Sequence, residues 1–156
     1  MHILLVCTGN TCRSPMAEEI LRRVLAERGT AGVRVSSAGT GAWDGAPASE
    51  GAYLVALEHG LDLSSHRAKL LSRDAVQSAN LILTMTRHHH ARVEELDGGD
   101  KVYLLGEYAG KTGTSAEVSD PFGGEIDGYR RTFTELQELL PAVAARVDRE
   151  RLGDRR

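Results

Sequence analysis

Short apolar runs alternate along the chain with longer stretches in which apolar residues recur at helical spacing. Residues 3–6 are continuously apolar rather than alternating, which predicts a first strand buried on both faces. Similar runs predict strands over residues 33–37, 81–85 and 101–105. Four strands that alternate with helices imply right-handed crossovers, and hence a mostly parallel sheet.

Helical periodicity fills most of the intervening sequence. A first helix is predicted from Ser14 and Pro15 to Gly29, because proline suits a first turn and glycine commonly ends a helix. Further helices are predicted over residues 49–60, from Ser72, over residues 86–96 and from about residue 127 onward. Pro141 interrupts the last pattern and predicts a kink or a division of that helix.

The predicted fold class is therefore α/β: a single domain over residues 1–156, with a four-stranded parallel sheet flanked by helices on both faces. Residues 106–121 are predicted to form a loop, and the polar, arginine-rich residues 148–156 a solvated or frayed end. Ligands bind such sheets at the carboxyl ends of the strands. The turn between the first strand and the first helix, residues 7–14, is thus the expected site of chemistry.

Composition narrows the range of partners. The chain has 156 residues and a formal net charge of −3, which argues against a basic nucleic-acid binder or a polybasic membrane protein. Its apolar runs are shorter than the roughly 18 to 20 residues of a transmembrane helix, and its start does not resemble a signal peptide. We therefore expect a cytoplasmic protein. Cys7 and Cys12, its two cysteines, are too few for a disulfide scaffold or a four-cysteine zinc site.

Residues 7–14 read Cys-Thr-Gly-Asn-Thr-Cys-Arg-Ser. Small residues before a helix N-terminus let several backbone N–H groups point inward, which makes a site for a phosphate-like dianion. These N–H groups and the Arg13 guanidinium are expected to lower the pKa of Cys7 and produce a thiolate nucleophile under the phosphoryl group. Arg13 can bind two phosphoryl oxygens at once and stays charged throughout.

Two further loop residues suit the same chemistry. Ser14 can cap the first helix or donate to the Cys7 sulfur, and Asn10 tolerates a positive φ and can bond across the loop. A lone cysteine or arginine here would more often be an inert buried residue or a surface residue. The joint pattern C-x5-R-S at a strand-to-helix turn favours a catalytic loop instead.

The segment 6–18, Val-Cys-Thr-Gly-Asn-Thr-Cys-Arg-Ser-Pro-Met-Ala-Glu, resembles the active-site signature of the low-molecular-weight protein tyrosine phosphatases. The resemblance continues in chain order through residues 37–40, 63–68, 81–86 and 120–124, and so covers nearly the whole chain. It implies a four-stranded parallel sheet with flanking helices, a cysteinyl-phosphate intermediate and no metal or cofactor. The residues implied to bind the phosphoryl group are Thr8, Gly9, Asn10, Thr11, Cys12, Arg13 and Ser14.

The leaving group needs a proton, and a carboxylic acid opposite the thiolate is the simplest donor. Asp120, fixed by the following Pro121, is the candidate, and it matches the Asp-Pro acid of the family. Composition alone would more often make such an aspartate a turn or capping residue, a role that suits Asp127 better. The resemblance assigns His66 and Ser37 to holding the asparagine of the loop.

Three more assignments follow from the resemblance. Trp43 and Phe122 are expected at the rim of the pocket, although Trp43 could instead be a partly buried anchor. Cys12 is implied to form a disulfide with an oxidised Cys7, which would protect the nucleophile from irreversible oxidation.

The substrate is predicted from Thr11, since tyrosine phosphatases of the family commonly carry leucine, isoleucine or valine at this position. The loop sequence resembles that of bacterial protein-arginine phosphatases, and Phe122 after Asp-Pro points the same way, so phosphoarginine in proteins is the predicted substrate. A tyrosine phosphatase is the alternative. A thiol-coupled arsenate reductase is less consistent with a chain that has no cysteine after Cys12, and a non-catalytic phosphoprotein-binding module would not need an activated Cys7.

The run 88–90 is three consecutive histidines. Adjacent helical residues point about 100° apart and position 92 is arginine, so a metal site is not expected and a solvated helix face is predicted. The protein is expected to act as a monomer on phosphorylated proteins.

Overall fold

The computed structural model describes residues 1–154, and its sheet has four parallel strands in the order β2-β1-β3-β4. The strands are β1 (His2–Cys7), β2 (Arg34–Gly39), β3 (Leu81–Thr84) and β4 (Val102–Leu104). The helices are α1 (Arg13–Glu27), α2 (Glu50–Glu58), α3 (Arg73–Ser78), α4 (Arg87–Glu95), α5 (Leu105–Tyr108) and α6 (Ile126–Asp154), with a 3₁₀ helix over Gly113–Ala116. This is the predicted α/β class with the predicted parallel sheet.

The sheet is covered on both faces because β1 alternates its side chains between two apolar clusters. Ile3 and Leu5 join a large cluster with α1, α2, α5 and α6, whereas Leu4 and Val6 join a smaller one with α3 and α4. All six residues of β1 are buried, as the continuous apolar run predicts. Burial on both faces makes β1 a rigid base for the loop that follows it.

The carboxyl end of β1 is where the strand order reverses, since its neighbours are β2 on one side and β3 on the other. Cys7, the last residue of β1, pairs in register with Gly39. A Cβ atom at Gly39 would lie 2.4 Å from the Thr8 carbonyl oxygen. Glycine at this position therefore lets the 7–14 loop approach the end of β2.

Helix α6 departs from the sequence prediction at two points. Pro141 does not divide it, because the apolar face of the helix is buried against the core on both sides of the proline. The predicted frayed end, residues 148–156, is helical as far as Asp154. Asp148 explains part of this order: its carboxylate bonds the guanidinium of Arg28 at 2.8 Å and the hydroxyl of Thr30. Residues 155 and 156 lie outside the described residues.

The predicted loop at 106–121 also contains more structure than expected, namely most of α5 and the 3₁₀ helix. Gly106 permits the fold of this segment, since a Cβ there would lie 2.2 Å from the Ala116 carbonyl oxygen. The Val118 N–H then donates to the carbonyl of Met85 just after β3. The segment is thereby anchored beside the strand ends, and it carries Asp120 to the same edge of the sheet.

Candidate active site

Cys7 lies at the base of the site, with its side chain 3% exposed. Its sulfur is 2.9 Å from the Ser14 hydroxyl oxygen and accepts a hydrogen bond from the Asn10 backbone N–H at 3.3 Å. Both donors come from the loop that wraps around the sulfur. The loop thus brings two hydrogen-bond donors to the atom that would attack a phosphoryl group.

Asn10 is the centre of a buried hydrogen-bond network. Its φ of 55° is a left-handed conformation that asparagine adopts more readily than most residues. Its side-chain oxygen accepts from the Lys69 backbone N–H at 2.9 Å, and its side-chain nitrogen donates to Ser14 at 2.8 Å and to Ser37 at 2.9 Å. The ring of His66 bonds the Asn10 carbonyl at 2.6 Å. The structure therefore brings Ser14, Ser37 and His66 into contact with Asn10, and the resemblance assigns two of these, Ser37 and His66, to holding this asparagine.

Arg13 and Asp120 face each other across the site. The Arg13 guanidinium is 5% exposed, donates to the Val118 carbonyl at 3.2 Å and lies 3.5 Å from the Asp120 carboxylate. Asp120 is 51% exposed, and its other oxygen accepts from the Phe122 N–H at 3.0 Å. The Val118 contact was not foreseen from sequence, because a backbone carbonyl leaves no residue-type signal.

Burial raises the pKa of the Cys7 thiol, against the expectation from sequence that the loop would lower it. The Ser14 hydroxyl, the Arg13 charge and the Asn10 N–H do lower this pKa, as expected. They do not outweigh the cost of enclosing a charged sulfur on nearly all sides. The sequence shows the donors but not how completely the fold covers the sulfur.

A pocket opens above Cys7. Its lining includes the loop residues Thr8, Gly9, Thr11, Cys12 and Arg13, the carboxylate of Asp120, and the aromatic rings of Trp43 and Phe122. Both rings are largely exposed, at 85% and 74%, which places Trp43 at the rim rather than as a buried anchor. Cys12 also lines this pocket, and its sulfur is 3.1 Å from the Ser49 hydroxyl oxygen.

His89 is the site residue that sequence reasoning missed. The run 88–90 is not a uniformly solvated face, because His89 is only 2% exposed and its Nε2 lies 2.8 Å from the Thr8 hydroxyl. No residue-type signal marks His89, because its place follows from the sheet: α4 starts soon after β3, which pairs with β1, so the first turn of α4 lies beside the 7–14 loop. Within residues 1–154, no group of three or more histidine, cysteine or acidic side chains is placed to hold a metal ion.

Comparison with known proteins identifies the family of the chain. The family model described as "Low molecular weight phosphotyrosine protein phosphatase" matches residues 2–152. The chain belongs to this family. It is similar to a protein named protein-arginine-phosphatase from Bacillus subtilis, at 41% identity over 97% of this chain and 99% of that one. A protein from Staphylococcus haemolyticus named low molecular weight protein-tyrosine-phosphatase PtpB is 38% identical over 90% of this chain and 95% of its own.

Solved structures of the family superpose closely. The YwlE arginine phosphatase from Geobacillus stearothermophilus has a TM-score of 0.87 at 36% identity, covering 97% of this chain and 96% of that one. Membership of the family makes the chain a protein phosphatase, and it confirms the fold and family predicted from sequence. Among the helices of residues 1–154, none is long and apolar enough to cross a membrane.

Proposed function

We propose that the chain hydrolyses phosphoarginine in proteins through a phosphocysteine intermediate. The observation that carries this proposal is the shared pocket: the Cys7 sulfur, the Arg13 guanidinium and the Asp120 carboxylate all line it. A nucleophile, an anion clamp and an acid are the three groups that phosphoryl transfer to cysteine needs. No cofactor enters the proposed cycle.

In the first step the Cys7 thiolate attacks phosphorus, and the bond from phosphorus to the leaving nitrogen breaks. Asp120, as the acid, gives its proton to that nitrogen, so the leaving group is a neutral guanidine rather than an anion. Arg13 and the loop N–H groups hold the phosphoryl oxygens while their charge redistributes. Asp120 can reach the leaving group because its carboxylate lines the pocket and its side chain is 51% exposed.

In the second step a water molecule attacks the phosphocysteine, and the Asp120 carboxylate takes its proton. The sulfur–phosphorus bond breaks, inorganic phosphate forms and Cys7 leaves as a thiolate. The Ser14 hydroxyl, 2.9 Å from the sulfur, stabilises the departing thiolate by donating to it. In this proposal the same carboxylate serves as acid and then as base.

Thr11 is the residue that favours phosphoarginine over phosphotyrosine. It lines the pocket, and a small polar side chain there suits a planar, hydrogen-bonding guanidinium better than an aromatic ring. The similar proteins from Bacillus subtilis and Geobacillus stearothermophilus carry the name protein-arginine-phosphatase. Phosphotyrosine is the second candidate, since the similar Staphylococcus haemolyticus protein carries a tyrosine-phosphatase name.

The test compares kcat/KM on two peptides of identical flanking sequence, one with phosphoarginine and the other with phosphotyrosine. We expect the phosphoarginine peptide to be preferred, and Thr11→Ile to shift the ratio toward phosphotyrosine. A wild-type preference for phosphotyrosine, or a ratio unmoved by Thr11→Ile, contradicts the assignment of substrate. Cys7→Ser replaces the thiol by a less nucleophilic hydroxyl, and it is expected to abolish turnover of both peptides.

The same proposal includes a cytoplasmic location and a monomeric state.

It also includes redox control through the two cysteines. Cys7 and Cys12 are both free thiols in this structure and share one small loop. Peroxide would oxidise the Cys7 thiolate to a sulfenic acid, and attack by the Cys12 thiol would then form a disulfide and release water. A reducing compartment would restore both thiols.

A further inference from the structure

His89 occupies a buried position between the 7–14 loop and the start of α4. Its ring is 2% exposed, and each ring nitrogen has a hydrogen-bond partner. Nε2 lies 2.8 Å from the Thr8 hydroxyl oxygen. On the other side, Nδ1 lies 3.2 Å from the Thr86 backbone nitrogen and 3.1 Å from the Thr86 hydroxyl oxygen. The ring therefore connects the end of β3 to the loop that follows β1.

The Thr86 contact determines which ring nitrogen carries the proton. A backbone N–H can only donate, so Nδ1 must accept from Thr86 and cannot itself hold a proton. In the neutral ring the proton then lies on Nε2, which donates to the Thr8 hydroxyl. The tautomer is thus set by the backbone of the residue that caps α4.

The Thr8 hydroxyl oxygen accepts hydrogen bonds from two side chains. Its hydroxyl oxygen receives Nε2–H of His89 at 2.8 Å and, over a longer contact of 3.5 Å, an N–H of Arg13. A hydroxyl has two acceptor sites and one donor proton, so both acceptor sites are filled. Thr8 lines the pocket above Cys7, and among residues 1–154 its hydroxyl has no acceptor for its own proton.

We propose that His89 is a positioning residue that makes the Thr8 hydroxyl a hydrogen-bond donor to the phosphoryl group bound in the pocket. The inference rests on the proposed phosphatase function and adds a donor that the 7–14 loop alone does not orient. Without His89, the Thr8 hydroxyl is free to rotate and to donate elsewhere. With it, the hydroxyl proton remains for the phosphoryl oxygens.

The electrostatic surroundings keep His89 in the form that this role needs. Burial lowers the pKa of His89 to about 4, and the charges of Arg13 on α1 and His88 on α4 act in the same direction. Asp120 and Glu117, from the segment that follows the 3₁₀ helix, oppose them. At neutral pH the ring is therefore uncharged, its Nδ1 still accepts from Thr86, and its Nε2–H still donates to Thr8.

A double-mutant cycle tests the inference. The full chain is assayed as wild type, His89→Ala, Thr8→Val and the double variant, for kcat/KM on a phosphoarginine peptide and for inhibition by inorganic phosphate. We expect each single variant to lose about tenfold in kcat/KM, the size of one hydrogen bond to a charged group. We expect the double variant to lose no more than Thr8→Val, because His89 acts through Thr8.

Additive losses, or a His89→Ala variant as active as wild type, overturn the inference. His89→Gln provides a second route if His89→Ala fails to fold, because its amide N–H can lie near the position of the imidazole Nε2. It is expected to recover most of the activity and of the phosphate affinity, and a variant that folds without recovering either contradicts the role. His90→Ala, one residue along α4 and paired with Glu94, is the matched control with unchanged kinetics.

The outcome also separates this inference from the proposed function. A wild-type chain that hydrolyses neither a phosphoarginine nor a phosphotyrosine peptide contradicts the proposed function itself. A wild-type chain that hydrolyses one of them, with no coupling between His89 and Thr8, contradicts only the role of His89.

Discussion

The side-chain amide of Asn10 donates to the Ser14 hydroxyl across 2.8 Å, and this bond sets the direction of the hydrogen bond beside it. Because Ser14 accepts from Asn10, its own proton is available to the Cys7 sulfur 2.9 Å away. The amide is in turn oriented by the Lys69 N–H on its oxygen. A chain of three hydrogen bonds thus runs from the backbone between α2 and α3 to the Cys7 sulfur.

Ser14→Ala is expected to make Cys7 less reactive. It removes a donor that lowers the pKa of the thiol, so less thiolate is present at a given pH. The rate of Cys7 alkylation by iodoacetamide at pH 7, followed by peptide mass spectrometry, should fall by about tenfold. Ser49→Ala, which removes a hydroxyl beside Cys12 instead, is the matched control, and an equal fall in both variants would rule out the specific effect.

Asp120→Asn is expected to lower kcat/KM on a phosphoarginine peptide by a factor of about 10² to 10⁴, because the amide cannot supply a proton to the leaving nitrogen. The loss in kcat/KM, which reports the first step alone, should shrink on an aryl phosphate whose leaving group departs without protonation, and steady-state kinetics on the two substrates measure the difference. Asp127→Asn is the control, since Asp127 lies at the start of α6 in an exposed ion pair with Arg130. Equal losses on both substrates would argue against an acid at position 120.

Cys12→Ala is expected to make inactivation by peroxide harder to reverse. In the wild type a disulfide between Cys7 and Cys12 would stop oxidation at a reducible stage, whereas the variant leaves the sulfenic acid of Cys7 open to further oxidation. Activity recovered after treatment with dithiothreitol measures the difference. Equal recovery in both proteins would remove the protective role of Cys12.

Acidification is expected to destabilise the fold through His89. The pKa of this ring is about 4 in the folded chain, against 6.5 as the ordinary value, so the unfolded chain binds the proton first as pH falls. The contribution to the free energy of unfolding is therefore complete above about pH 6.5 and is lost progressively between pH 6.5 and pH 4. Urea unfolding across this range should show a shallower pH dependence for His89→Gln, and identical slopes would contradict the assignment.

Much of the fold could be predicted because it follows from local patterns. The unbroken apolar run of β1 and the small residues after it indicate a buried strand and an anion-binding turn without any knowledge of tertiary structure. Ser72 was recognisable as a helix cap for the same reason, and its hydroxyl accepts from the Ala75 N–H at 3.1 Å.

The parts that could not be predicted depend on packing between distant segments. The continuity of α6 through Pro141 comes from apolar contacts on both sides of the proline, which outweigh one lost backbone hydrogen bond. The raised pKa of Cys7 comes from how closely the fold encloses the sulfur. His89 is the buried residue of the run 88–90 because it is the one that faces the 7–14 loop. The start of α4 lies beside that loop because β3 pairs with β1.

The strand order β2-β1-β3 means that hydrogen bonds hold the 7–14 loop independently from its two sides. On the β2 side Ser37 and the Lys69 N–H hold Asn10, and on the β3 side His89 holds Thr8. Thr11 belongs to neither support: among residues 1–154 its side chain has one hydrogen-bond contact, with the Cys12 sulfur at 3.7 Å. On the proposal that Thr11 sets the substrate preference, this preference can be changed at position 11 without loosening the hydrogen bonds that hold Asn10 and Thr8.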